Sequence, residues 1–160
     1  MTVRVERVAA ELTFPLRQRI LRPQETVEQM ALPGDEAEST AHFAALDDGE
    51  IVGTASVRCE APPWTTGGLA AWRLRGMATA EDRRNQGIGT VVLAAAFDHV
   101  RRNGGGLFWC NARLPAVAFY RRAGFTTRGE AWEEPVIGPH IAMECLVTDA
   151  GARSSPATPR

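Results

Sequence analysis

Apolar positions along the chain switch between two periods, and each switch marks a change of element. Residues 2–9 alternate weakly and predict an edge strand. Leu12, Leu16, Ile20 and Leu21 recur at helical spacing, so a helix is expected over residues 12–21, with Pro15 in its first turn or just ahead of it and Arg22-Pro23 ending it. Residues 24–39 are polar around Pro33-Gly34-Asp35 and read as a loop with room for one helical turn. Residues 40–46 and 51–59 are strand-like runs on either side of Asp47-Asp48-Gly49-Glu50, a strong hairpin signal. A loop over 60–68 leads to a strand over 69–79 and a polar connection over 80–85.

Ile88, Val92, Ala95/Ala96 and Val100 define the clearest helix, over 88–103, which Gly104-Gly105-Gly106 stops. Residues 107–110 read as a short buried strand. Pro115 opens a helix that continues through 116–123 to Gly124, and 125–128 and 141–147 are the last strand candidates. Hairpin strands come first and a strand–helix–strand–helix–strand unit follows, which predicts an α/β fold on a sheet of mixed direction. The expected organisation is one domain over residues 1–148 and a disordered tail over 149–160, rich in Ser, Pro, Ala and Gly.

Composition narrows the picture. A chain of 160 residues, 44% hydrophobic and 23% charged, suits a soluble globular domain with a sizeable core. The formal net charge of -1 speaks against nucleic acid as an obligate partner. No apolar run approaches membrane-spanning length and the start carries no signal-peptide core, so no membrane partner and a cytoplasmic location are expected. Cys59, Cys110 and Cys145 are too widely spaced for a disulfide framework or a zinc site and read as buried free thiols. The chain contains no lysine, which removes Schiff-base and pyridoxal chemistry. There is no Ser/His/Asp order and no metal-ligand spacing, so neither an acyl-enzyme nor a metal is expected.

Arg84-Asn85-Gln86-Gly87-Ile88-Gly89 stands between a predicted strand and the clearest helix. Glycines there let the backbone approach a ligand, and the helix start offers unpaired N–H groups to an anion such as a pyrophosphate. A dinucleotide loop needs a third glycine, where this chain has Val91 and Val92, and a triphosphate loop needs Gly-Lys, which is absent.

Two blocks then carry a resemblance. Leu74-Arg75-Gly76-Met77-Ala78-Thr79 with Arg83-Arg84-Asn85-Gln86-Gly87-Ile88-Gly89-Thr90 resembles motif A of the GNAT N-acetyltransferase superfamily. Residues 107–113, ending in Asn111-Ala112-Arg113, with Phe119-Tyr120 and Gly124-Phe125, resemble its motif B. Leu16-Arg17-Gln18-Arg19, Ile51-Val52-Gly53 and Gly138-Pro139-His140 are similar to segments of small bacterial members. The resemblance implies a GNAT fold: a mixed central sheet of about six to seven strands with a splayed pair, flanked by about four helices.

It also implies a function, transfer of an acetyl group from acetyl-coenzyme A to a primary amine of a small molecule, peptide or protein by direct attack. Backbone groups of Met77, Ala78 and Thr79 would pair with the donor, and Gly76 would sit at the family's bulge. Arg84, Asn85, Gln86, Gly87, Ile88, Gly89 and Thr90 would hold the pyrophosphate. Asn111 would orient the cofactor or the next helix. Tyr120, also at the donor, would be the general acid. The motif A strand has no carboxylate, which leaves the base open among His140, Glu144 and Glu60. Arg83, Arg121 and Arg122 are either phosphate contacts or solvated charges. Acceptor specificity would lie in residues 24–39, 60–68 and 128–140, where Trp64 and Trp132 either line a pocket or cover the core edge. A coenzyme-A-binding regulatory or structural module without transfer activity is the alternative. The acceptor, the acyl-chain preference beside Met77 and a homodimer all stay open.

Overall fold

The computed structural model describes residues 2–65 and 67–151. Its strands are β1 (Val3–Val8), β2 (Ala41–Asp47), β3 (Glu50–Cys59), β4 (Ala71–Thr79), β5 (Gly106–Arg113), β6 (Thr126–Glu134) and β7 (Gly138–Val147). Its α-helices are α1 (Ala10–Leu21), α2 (Ile88–Arg102) and α3 (Val117–Ala123). The strands form one mixed sheet in the order β1-β2-β3-β4-β5-β7-β6. The single parallel pair among them, β4 with β5, follows from the α2 crossover between those strands. Among the described residues the sheet carries three α-helices, with short single turns such as Glu28–Met30 in the segment read as a loop.

Asp48 and Gly49 both have positive φ, 49° and 79°, as a two-residue hairpin turn between right-twisted strands requires. Strand alternation then sorts the two faces. Phe43 packs edge-on against His99 of α2, and Gly53, opposite Ala45, also faces α2. His42 and Thr54 face the α1 side, where Thr54 donates to the Gly76 carbonyl at 2.9 Å. Under α2 and α3, Phe97 meets Phe108 at 5.1 Å and Phe125 at 5.5 Å between ring centroids, and Tyr120 joins Phe125 at 5.5 Å. This aromatic cluster fixes where α3 sits on the sheet.

Two features of β4 shape the function. It pairs with β5 only from Ala71–Leu107 to Arg73–Trp109, although the strands run on to Thr79 and Arg113, so they diverge and leave a cleft. On its other side, Thr54 opposes Ala78 and Ser56 opposes Arg75, so Gly76 and Met77 face one residue of β3 as a bulge. Gly76 has φ +61°, and a Cβ there would lie 2.9 Å from Arg17 Nε. Glycine is required on both counts.

The structure corrects several boundaries. Helix α1 begins at Ala10, which puts Pro15 inside the helix and not in its first turn. The helix accepts the lost N–H because its inward side chains, Thr13, Leu16 and Arg17, are buried. Strand β5 extends three residues past Cys110, because β7 pairs with it antiparallel along its whole length. Much of 128–140, left between the last two strand candidates, is the β6–β7 hairpin. Of the three thiols only Cys110 is buried; Cys59 is exposed and Cys145 half-buried. Most of the predicted tail, residues 152–160, lies outside the described residues.

Gly53 offers a test of the packing. A Cβ at this position would sit 2.5 Å from Ile88 Cγ2 and 3.2 Å from Val92 Cγ2. Gly53→Val is expected to cost about 1–3 kcal/mol through overpacking between β3 and α2. Urea unfolding monitored by circular dichroism measures it, and an unchanged midpoint would contradict the close approach.

Candidate active site

The divergence of β4 and β5 opens a cleft of about 1140 Å³. Its floor is the outer half of β4, Arg75 to Thr79. One end is closed by the connection after β4 and the first turn of α2, the other by α1, the segment after it and His140 of β7.

At the first end, Asn85 (φ 64°) and Gly87 (φ 78°) turn the chain through left-handed conformations before α2 begins. Gly87 is the N-cap, and no side chain caps the helix. The first-turn N–H groups of a helix have no partner within it. Here they lie where Gly87, Ile88, Gly89 and Thr90 line the cleft, and the helix dipole adds positive potential. No atom of the described residues lies within 4 Å of a Cβ built on Gly87, while one on Gly89 would touch Phe119 at 3.3 Å and Thr79 Oγ1 at 3.6 Å. Arg84 is exposed on the cleft wall, whereas Arg83 is tied to Asp47. Arg122 also borders the cleft; Arg121 is exposed and outside its wall. These residues bring together open backbone donors, an uncapped helix start and arginine charge, a combination that suits an anion.

Tyr120 lines the same cleft from α3 and is only 7% exposed. Phe119 and Phe125 pack against its ring at 5.2 and 5.5 Å. Burial, reinforced by Cys110, pushes the phenol well above its ordinary range, so it holds its proton at every physiological pH. Its hydroxyl forms no hydrogen bond among the described residues. Cys110 is pushed up to about 12 by burial and stays a neutral thiol, which removes it as a nucleophile.

Among the three carboxylate or imidazole candidates, only His140 reaches the cleft wall. Its Nδ1 lies 2.8 Å from the Gly138 carbonyl, and its ring stacks on Trp132 at 5.9 Å. A carbonyl only accepts, so Nδ1 carries the hydrogen and Nε2 of the neutral ring has the lone pair. Glu144 accepts from Trp64 Nε1 at 2.9 Å and pairs with Arg128 at 3.5 Å. Glu60 bridges Arg73 at 2.7 Å and Arg58 at 3.5 Å. Both carboxylates are engaged away from the cleft wall. Trp64 meets Trp109 edge-on at 5.4 Å and covers the sheet.

The cleft therefore gathers Met77, Ala78, Thr79, Arg84, Asn85, Gly87, Ile88, Gly89, Thr90, Tyr120 and His140. It does not gather Gln86 or Asn111, both exposed and off its wall; Asn111 pairs with Ala142 in the sheet. Sequence reasoning missed Arg17, Arg75 and Arg113, which line the end away from the glycine loop. Strand alternation put Arg73 and Arg75 on one face, but only the bulge and the covering α1 show that this face borders a cleft. Among the described residues no group of three His, Cys, Asp or Glu could hold a metal ion, and no helix is long and apolar enough to cross a membrane.

Residues 9–125 match the family model described as the acetyltransferase (GNAT) family. The chain is 36% identical over 139 residues to YitI of Bacillus subtilis (strain 168), an uncharacterized N-acetyltransferase, covering 87% of this chain and 93% of that one. It is 32% identical over 103 residues to a streptothricin acetyltransferase of Streptomyces lavendulae, covering 60% of this chain and 49% of that one. The ribosomal-protein-S18-alanine N-acetyltransferase of Escherichia coli superposes with a TM-score of 0.71 at 16% identity, covering 98% of this chain and 100% of that one. The chain belongs to the GNAT family of acetyltransferases.

Proposed function

We propose that the protein transfers an acetyl group from acetyl-coenzyme A to the nitrogen of a primary amine, by direct attack and without an acyl-enzyme. The observation that carries this reading is one continuous cleft with an uncapped, glycine-lined helix start at one end and Tyr120 and His140 on its wall. The diphosphate of the donor fits the N–H groups between Asn85 and Thr90, with Arg84 adding charge. The freed edge of β4 beside Met77, Ala78 and Thr79 provides unpaired backbone groups for the donor's amides, as an added strand would use them.

In the transfer the amine lone pair forms a C–N bond to the thioester carbonyl carbon, and the C–S bond breaks. The amine must be neutral to attack, and an alkyl amine ordinarily holds its proton to a pH near 10. His140 Nε2 accepts that proton, directly or through water. The leaving thiolate takes a proton from the Tyr120 hydroxyl, which burial keeps neutral and protonated until that step. The arrangement suits a reducing, cytoplasmic setting, with Cys59, Cys110 and Cys145 unpaired.

Incubating the protein with acetyl-coenzyme A and a library of amines, followed by mass spectrometry, tests the reading. Amine-dependent products heavier by one acetyl group are expected, with equimolar release of free thiol. Tight binding of acetyl-coenzyme A with no product from any amine would instead identify a coenzyme-A-binding module without transfer activity.

A further inference from the structure

Arginine dominates the end of the cleft opposite the glycine loop. Arg17, Arg22, Arg75 and Arg113 line it, and Glu25 is the one carboxylate on the cleft wall among the described residues. Three of the four are already engaged. Arg17 is 3% exposed, donates to Thr13 Oγ1 at 3.2 Å and to the Met30 carbonyl at 3.3 Å, and lies 3.8 Å from Asp35. Arg22 lies 3.8 Å from Glu25, and Arg113 donates to the Leu21 carbonyl.

Arg75 differs. It forms no hydrogen bond and no ion pair among the described residues. It is half-buried, and Arg73, Arg58 and Arg17 all push on its charge. The one carboxylate acting on it, Glu60, is shared by ion pairs to Arg73 and Arg58. Burial, with these neighbours, lowers its guanidinium from the usual range to about 10, so it remains a cation at physiological pH but a costly one. A partly desolvated cation facing a cleft and lacking a counter-ion is a binding site for an anion.

That anion is not the donor's diphosphate. Arg75 precedes Thr79 by four residues, roughly 13 Å along a strand, and the glycine loop lies beyond Thr79. Arg75 stands instead immediately before the Gly76–Met77 bulge, on the side of β4 that α1 and the segment after it enclose.

We infer that the acceptor is an amine that also bears a carboxylate, held by the Arg75 guanidinium with its amino group turned toward the bulge. This inference rests on the acetyl-transfer reading and adds the acceptor's class to it. Arg113 and Arg17 strengthen the positive field behind the carboxylate. The same field disfavours polyamines and lysine-rich peptides, which bring further positive charge to a wall that already carries an excess of it.

Matched acceptors test it: amino acids, their carboxamides and the corresponding decarboxylated amines, each with acetyl-coenzyme A, read by thiol release. The acids should exceed their amides in kcat/KM by roughly tenfold to a hundredfold, the scale of one charge-assisted hydrogen-bonded pair. Arg75→Gln should remove that preference mainly through KM. Arg75→Lys should restore part of it, since charge is kept and the planar fork lost. A parallel titration of N-acetyl amino acids and N-acetyl amino-acid amides into the protein, by calorimetry without donor, reads carboxylate selectivity independently of transfer. Wild-type selectivity that Arg75→Gln abolishes supports the inference. No preference for acids in the wild type, or a preference that survives in Arg75→Gln, overturns it. Failure of acetyl-coenzyme A to bind, or of every amine to be acetylated, overturns the transfer reading instead, and the calorimetric arm still decides the anion site.

Discussion

Tyr120→Phe is expected to lower kcat by about a hundredfold while leaving acetyl-coenzyme A affinity nearly unchanged. The factor is the lower end of what a positioned acid supplies, because a thiol with an ordinary pKa of about 8.5 is already a fair leaving group. Phenylalanine keeps the ring that packs on Phe119 and Phe125, so the aromatic cluster and the seat of α3 are preserved. Only the hydroxyl, and with it the proton it would donate, is removed. Burial holds that proton in place, so the wild-type rate should show no alkaline loss from the phenol across the range in which the protein is stable. Single-turnover kinetics at saturating donor, with calorimetric titration of acetyl-coenzyme A, separate the two quantities. Unchanged turnover would remove Tyr120 as the acid.

His140→Gln gives the complementary result. Its deficit should shrink as pH rises toward the pKa of the acceptor, because the amine then loses its proton unaided. A deficit that stays constant with pH would show that His140 does not take up the amine's proton.

The parts of this fold that were legible in the sequence are those set by local chemistry. Asp48-Gly49 specified the hairpin because only such a pair accepts two positive φ values in succession. Gly87 and Gly89, at a strand-to-helix junction, marked the uncapped helix start that lines one end of the cleft. Tyr120 is singled out by the resemblance of Asn111, Phe119-Tyr120 and Gly124-Phe125 to motif B, and the structure puts it on the cleft wall. What stayed hidden depends on register. The partners of Glu144 and Glu60 are Trp64, Arg128, Arg73 and Arg58, none of them sequence neighbours in a way that periodicity reports. Only strand pairing shows that these carboxylates are spent on ion pairs while His140 is left at the cleft. Arg75 is the sharpest case. Its spacing from Arg73 places both on one face, yet Arg73 finds Glu60 and Arg75 finds no hydrogen bond or ion pair among the described residues, and that difference exists only in three dimensions. Pro15 misled in the opposite direction. Local rules assign proline to a first turn, but burial of Thr13, Leu16 and Arg17 carries α1 through it.

Gly89→Leu should weaken acetyl-coenzyme A binding by roughly tenfold to a hundredfold, more than any change outside the loop. Gly89 lies in the first turn of α2, where the backbone N–H groups face the cleft without a capping side chain. A single Cβ would already press on Phe119 at 3.3 Å, and the rest of a leucine side chain must enter the space that a diphosphate needs. Losing one charge-assisted hydrogen bond from N–H to phosphate is worth about 1.5–3 kcal/mol, which sets the scale of the expected change. Leucine is a good helix former, so α2 itself should persist and the melting temperature should move little. Gly87→Ala separates the two ways in which a glycine can matter. No atom of the described residues lies within 4 Å of a Cβ there, but its φ of +78° disfavours any side chain. It should therefore cost stability of the turn before it costs contact with the ligand. Calorimetric titration of acetyl-coenzyme A into both variants, with thermal melts of each, reads the distinction. If Gly89→Leu binds the donor as tightly as the wild type, the glycine loop is not the diphosphate cradle, and the donor must enter the cleft from another direction.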